Sequence, residues 1–135
     1  MDESMYREQI IDLYEHPLNQ GRIEAADFSY EEDNPLCGDV IRIEVRLDEK
    51  QQVADVKWSG EGCAISQASA SLLTEEIKGK TLEEVKAYSK DGLLELLGIQ
   101  LSMTRVKCAL LSLKVLKAGA YGLPEPEEIR KHDED

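Results

Sequence analysis

The clearest pattern in the chain runs from residue 41 to 47. Ile41, Ile43, Val45 and Leu47 alternate with Arg42, Glu44 and Arg46. Period two with one polar face predicts a half-buried antiparallel strand. The polar stretch 48–52 predicts a hairpin loop. Ala54, Val56 and Trp58 follow as the buried face of a return strand, with Asp55 and Lys57 outward. Phe28 and Tyr30 predict a shorter strand upstream, separated from the long one by the turn-forming run 33–39.

Helical spacing flanks this β region. Tyr6, Ile10, Leu13 and Tyr14 share one face of a predicted helix over 4–16, which Pro17 terminates because the residue before proline leaves the α region. After Gly60-Glu61-Gly62 the period becomes helical again, with Ile65, Ala68, Leu72 and Ile77 near one stripe of a helix over 63–78. Its run Ser66-Gln67-Ala68-Ser69-Ala70-Ser71 is small enough for a close helix contact. Gly79 reads as its C-cap. Thr81-Leu82-Glu83-Glu84 is a capping-box pattern. Gly92 and Gly98 are expected to break the next segment. Ser102 or Thr104 then caps a last helix running to about Tyr121, with Val106, Ala109, Leu110, Leu113, Leu116 and Ala120 as its core stripe. The expected fold class is α+β: a small three-stranded antiparallel sheet flanked by helices. Residues 1–121 form the expected domain, and 122–135 an acidic, mobile tail.

Composition narrows the function. The 135 residues include 16 Lys+Arg against 28 Asp+Glu, a net charge of −12. That surplus argues against a nucleic-acid or anionic-membrane partner and favours cationic partners or metal ions. No apolar run is long enough for a transmembrane helix, and the first residues resemble neither a secretory signal nor a transit peptide. Three cysteines, an odd number, fit a reducing compartment, so a cytoplasmic protein is expected. His132, isolated in the tail, reads as solvated.

The cysteines lie at element boundaries, where sites gather. Cys37 sits in the turn before the long strand, between Pro35 and Gly38. Cys63 opens a helix, whose free N–H groups favour thiolate. Cys108 is expected in the first turn or so of the last helix, beside Arg105 and Lys107, whose charges act the same way. A lone cysteine is more often a small core residue, but three so placed point to a shared site. Arg105, one helical turn before Cys108, is the candidate thiolate stabiliser. Asp39, two residues after Cys37, either converges on the same centre or bonds its own turn. Three thiolates and a carboxylate suit zinc or iron. No CxxC knuckle is present.

Asn34-Pro35-Leu36-Cys37-Gly38-Asp39, Gly60-Glu61-Gly62-Cys63-Ala64-Ile65-Ser66 with Ala68-Ser69-Ala70-Ser71, and Arg105-Val106-Lys107-Cys108-Ala109 closely resemble the iron–sulfur cluster assembly scaffold family: IscU, the NifU N-terminal domain and SufU. Tyr14-Glu15-His16-Pro17-Leu18-Asn19 is similar to that family's Tyr-x-x-Pro-x-Asn segment. The resemblance spans about residues 6–120. It implies Cys37, Asp39, Cys63 and Cys108 as ligands of iron, of a transient [2Fe–2S] cluster, or of zinc in the same site. It also implies a cysteine desulfurase of the IscS or SufS kind as sulfur donor, with Cys108 as the candidate sulfur acceptor, and recipient apoproteins. The run Leu101 to Cys108 lacks the histidine and both prolines of the IscU segment read by an Hsp70 chaperone, so that partner is not implied. Arg105-Val106-Lys107-Cys108 resembles SufU instead, although SufU's insertion between the second and third cysteines is missing. Two functions follow: an assembly scaffold, or a zinc-dependent sulfur-accepting partner of a desulfurase. A purely structural zinc domain is the third.

Overall fold

A computed structural model describes residues 3–34 and 38–122. Helix α1 spans Glu3–Glu15, and strands β1 Phe28–Asn34, β2 Asp39–Leu47 and β3 Val53–Glu61 follow. Then come helices α2 Ala64–Ile77, α3 Leu82–Ala87, α4 Lys90–Leu97 and α5 Met103–Ala120. The sheet is antiparallel in the order β1-β2-β3. Ile41, Ile43 and Val45 are buried on one face of the central strand, and α5 packs on β1 and β2 while α2 packs beside β3. The expected three-stranded α+β architecture is the one observed.

Two details depart from the alternation. The β2–β3 register shifts between Arg46 and Leu47, so Val53 faces Leu47 and Asp55 faces Arg46. Ala54 is the extra residue and is exposed, and Val53 is buried in its place. The bulge, set by hydrogen bonding rather than by hydrophobicity, thus moves the buried phase of β3 by one residue at its start. Glu44, on the outward face, is also covered: Arg22 donates to its Oε1 at 2.5 Å, and the Ile23 amide donates to the same oxygen.

The helices form where their caps dictate. The Thr81 hydroxyl accepts from the Glu84 amide, and Glu84 accepts from the Thr81 amide in return, completing the expected capping box. Those two bonds hold the Glu84 carboxyl below the usual carboxylate range. Ser102, rather than Thr104, caps α5. Gly92 does not break the chain: its amide donates to Ser89, the N-cap of α4. Gly98 does end that helix, in the left-handed conformation. Tyr14 lies off the buried face of α1 and is 49% exposed. Ile10 and Leu13 make the contact instead, joining Ala68, Leu97 and Ala109 in a second apolar cluster. α1 therefore docks chiefly on α2.

The segment after α1 is fastened to the far edge of the sheet. Trp58, completely buried, donates from its indole Nε1 to the Leu18 carbonyl at 2.8 Å. Its backbone bonds Asn19 and Gly21. The Asn19 amide donates to Thr74 and to Glu75, and that bond, helped by Lys78, keeps the exposed Glu75 carboxyl below its ordinary range.

Candidate metal centre

The end of the sheet where β2 begins and β3 finishes carries the chemistry. Val40 pairs with Glu61 there. Gly60 takes φ +136°, and a side chain at that position would overlap the Val40 carbonyl, so only glycine lets β3 pass this close to β2. The chain then turns through Gly62 into α2, with Cys63 as N-cap residue in extended conformation.

Cys63 does not cap the helix with its own side chain. Asp39 supplies the acceptor: its Oδ1 takes the Cys63 amide hydrogen at 2.9 Å. Its second oxygen, Oδ2, lies 3.7 Å from Cys63 Sγ. This carboxylate is 1% exposed and belongs to β2, so it ties the sheet to the N-terminus of α2. Ser66 Oγ donates to the Cys63 carbonyl at 3.1 Å and stands 3.9 Å from its sulfur. Gln67 donates to the Gly62 carbonyl. The loop carrying the thiol is thus held from both sides.

Cys108 arrives from the opposite helix. It is the sixth residue of α5, within its second turn, and it is buried. Its height is set by the seam between α2 and α5. Ser69 Oγ donates to the Ala109 carbonyl at 2.5 Å and meets Ser112 Oγ at 2.9 Å. The small residues expected to permit a close approach do so here, and their hydroxyls fix the register. One ligand atom each from Asp39, Cys63 and Cys108 lies within 4.8 Å of the other two. Two of the three sulfurs and the carboxylate thus converge. Cys37 and His132 lie outside the described residues. Arg105 is exposed in the first turn of α5, its amide capped by Ser102.

A buried carboxylate beside thiols is costly unless hydrogen-bonded or paired with a cation. The donor set, the half-buried thiol of Cys63, the sulfur of Cys108 and one carboxylate, fits zinc or iron. The residues that spacing did not single out are Gly62, Ser66 and Ser69. The small-residue run signalled packing but not its polar function.

The NifU-like N-terminal domain family matches residues 5–128. The chain belongs to that family. The domain is 38% identical to the zinc-dependent sulfurtransferase SufU of Bacillus subtilis over 134 residues, covering 87% of this chain and 90% of that protein. It is 35% identical to the iron–sulfur cluster assembly scaffold protein IscU of Haemophilus influenzae, covering 84% and 90%. A solved structure from Fervidobacterium islandicum, described as an iron–sulfur cluster assembly scaffold for the SUF system, superposes with a TM-score of 0.73 at 29% identity. It covers 89% of the domain and 99% of that chain. A NifU-like N-terminal structure from Brucella abortus shares the fold at 18% identity and a TM-score of 0.68.

In this NifU-like domain Gly62 is a direct test of how tightly the centre is built. A Cβ there would stand 2.6 Å from Asp39 Oδ1 and would also press on Ser66. Gly62→Ala is expected to displace the carboxylate and to weaken zinc binding at least about tenfold, the scale set by groups that orient ligands. Competition against a chromophoric chelator measures it. Wild-type affinity would show that the carboxylate can be repositioned freely.

Proposed function

We propose that this domain is a scaffold on which an iron–sulfur cluster is assembled and from which it is passed to apoproteins. The observation that carries the reading is the convergence of Asp39, Cys63 and Cys108 at one end of the sheet. Cys37, on the short connection between β1 and β2, completes the ligand set in this reading. A [2Fe–2S] cluster is the cargo, so the site must bind and also release. Four thiolates suit permanent holding. Three thiolates with one hard carboxylate leave a weaker link through which an acceptor's thiolate can enter.

Sulfur comes from a cysteine desulfurase as persulfide and is received by a scaffold thiol, with Cys108 as first acceptor; iron and electrons arrive separately. The domain is then an assembly platform rather than an enzyme with turnover of its own. A reducing cytoplasm suits the free thiol of Cys63. Among the described residues no helix is long and apolar enough to cross a membrane.

The second reading is a zinc-dependent sulfur acceptor working with a desulfurase. It is favoured by Arg105-Val106-Lys107-Cys108 and by the identity to the Bacillus subtilis protein. Metal analysis of protein purified without oxygen, followed by cluster reconstitution read in visible absorption, separates the two. A scaffold takes up iron and sulfide with new visible bands. Stoichiometric zinc, no cluster and persulfide on Cys108 after mixing with desulfurase would replace it with the second reading. Zinc without sulfur acceptance would leave only a structural metal domain.

Arg105→Ala tests the cation near Cys108. The guanidinium is exposed, so the expected loss is modest. Alkylation of Cys108 and its sulfur acceptance should slow by about twofold to fivefold, the range of exposed charge pairs. Lys107→Ala should do less. The measurement is alkylation rate against pH, with Cys37 and Cys63 changed to serine and metal removed. Superimposable profiles would make Arg105 a surface or docking residue.

A further inference from the structure

The loop that carries Cys63 holds one buried hydroxyl that the ligand set does not explain. Ser66, the third residue of α2, is 1% exposed and donates from Oγ to the Cys63 carbonyl at 3.1 Å. That carbonyl is already bonded, since the Gln67 amide also donates to it at 3.1 Å. The serine bond is therefore redundant for holding the turn. The same Oγ lies 3.9 Å from Cys63 Sγ, and Asp39 Oδ2 lies 3.7 Å from that sulfur.

As a thiol, Cys63 has a hydrogen to give, and both oxygens are placed to accept it. A metal-bound thiolate has none, and its lone pairs call for a donor. The ionised carboxylate only accepts, whereas a hydroxyl carries one hydrogen on a rotor. Turning the Ser66 hydrogen from the carbonyl to the sulfur costs little, because the Gln67 amide keeps the carbonyl paired. Burial keeps water from competing for it. Gly62 leaves the room, since a side chain there would run into the Ser66 oxygen.

We propose that Ser66 is a positioning residue for the loaded centre: its hydroxyl turns from the Cys63 carbonyl to the Cys63 sulfur when that sulfur takes a metal ion. The inference rests on the reading of Cys63 as a ligand and is the same for zinc and for iron. A hydrogen bond draws electron density from a thiolate, so it changes the spectrum of the metal as well as its affinity. Support of the loop through the carbonyl alone changes affinity and leaves the electronics of the thiolate as they were.

Cobalt(II) titrated into the full chain after metal removal, without oxygen, tests this, because the thiolate-to-cobalt charge-transfer band reports on the sulfur directly. Two pairs are compared: wild type with Ser66→Ala, and Ser66→Thr with Ser66→Val, which match in shape and differ by the hydroxyl. The second pair carries the comparison if alanine leaves the chain unfolded, with fluorescence of the one tryptophan, Trp58, reporting the fold. In each pair the chain without the hydroxyl is expected to show the band at longer wavelength and to bind cobalt about tenfold more weakly. Weaker binding with the band unmoved would overturn the proposal and leave Ser66 as a support of the loop. Equal bands and equal affinities would overturn it as well. Cys63→Ser tells this failure from that of the ligand reading: a charge-transfer band of wild-type intensity in that variant would remove Cys63 from the ligand set, and the proposal with it.

Discussion

Asp39→Ala is expected to slow delivery of a reconstituted cluster to an acceptor apoprotein by about tenfold, equivalent to about 1.4 kcal/mol at 25 °C, while still allowing assembly. The carboxylate is the one hard donor in the proposed ligand set, and the entering thiolate of an acceptor displaces it more readily than a bound sulfur. Removing it forces a stronger bond to break first. The geometry adds a second effect that must be separated. Asp39 also accepts the Cys63 amide at the start of α2, so alanine leaves a buried donor unpaired. That costs about 1–3 kcal/mol of folding stability. Asp39→Asn keeps an acceptor oxygen in the same place and should restore most of the stability without restoring the release rate. Transfer is followed by the appearance of the acceptor's visible spectrum, and stability by denaturant midpoint. If both variants transfer at the wild-type rate, Asp39 serves only to tie the sheet to α2.

The largest effect on stability is expected at Trp58. It is fully buried, it is among the largest such side chains, and it fastens three residues of the segment after α1. Trp58→Ala should cost about 3–5 kcal/mol, a large share of the 5–15 kcal/mol that holds a domain together. Trp58→Phe keeps much of the volume but leaves the Leu18 carbonyl without its donor, and should cost about 1–3 kcal/mol. Urea unfolding at constant slope measures both. A loss under about 1 kcal/mol for alanine would mean the segment 17–21 holds itself against β3 through backbone bonds alone.

Periodicity was enough to read the sheet and most helices because each buries one face of regular spacing. Ile41, Ile43 and Val45 alternate in the structure as they do on paper. It misplaced Ala54 because a bulge changes phase without changing composition, and it misread Gly92 because that glycine sits within the first turn of a helix capped by Ser89. Tyr14 falls outside the buried face because α1 buries a narrow stripe, Ile10 and Leu13, against its neighbouring helices. The motifs pointed to Asp39, Cys63 and Cys108, whose ligand atoms the structure brings near one another. What brings Asp39, Cys63 and Cys108 together is long-range: 24 residues separate Asp39 from Cys63, and 40 separate Ser69 from Ala109. No local spacing encodes those contacts. The double use of Asp39, one oxygen to an amide and the other toward a sulfur, had no sequence signal at all.

The serine seam between α2 and α5 divides the molecule into positions that can drift and positions that cannot. Ser69 and Ser112 have no room to grow, because any larger side chain would wedge the helices apart and pull Cys108 away from Cys63. Arg105 and Lys107, on the same helix, face solvent and bear no such restriction. A descendant of this chain could therefore exchange the charges on that exposed face while the spacing of Cys63 and Cys108 stayed the same.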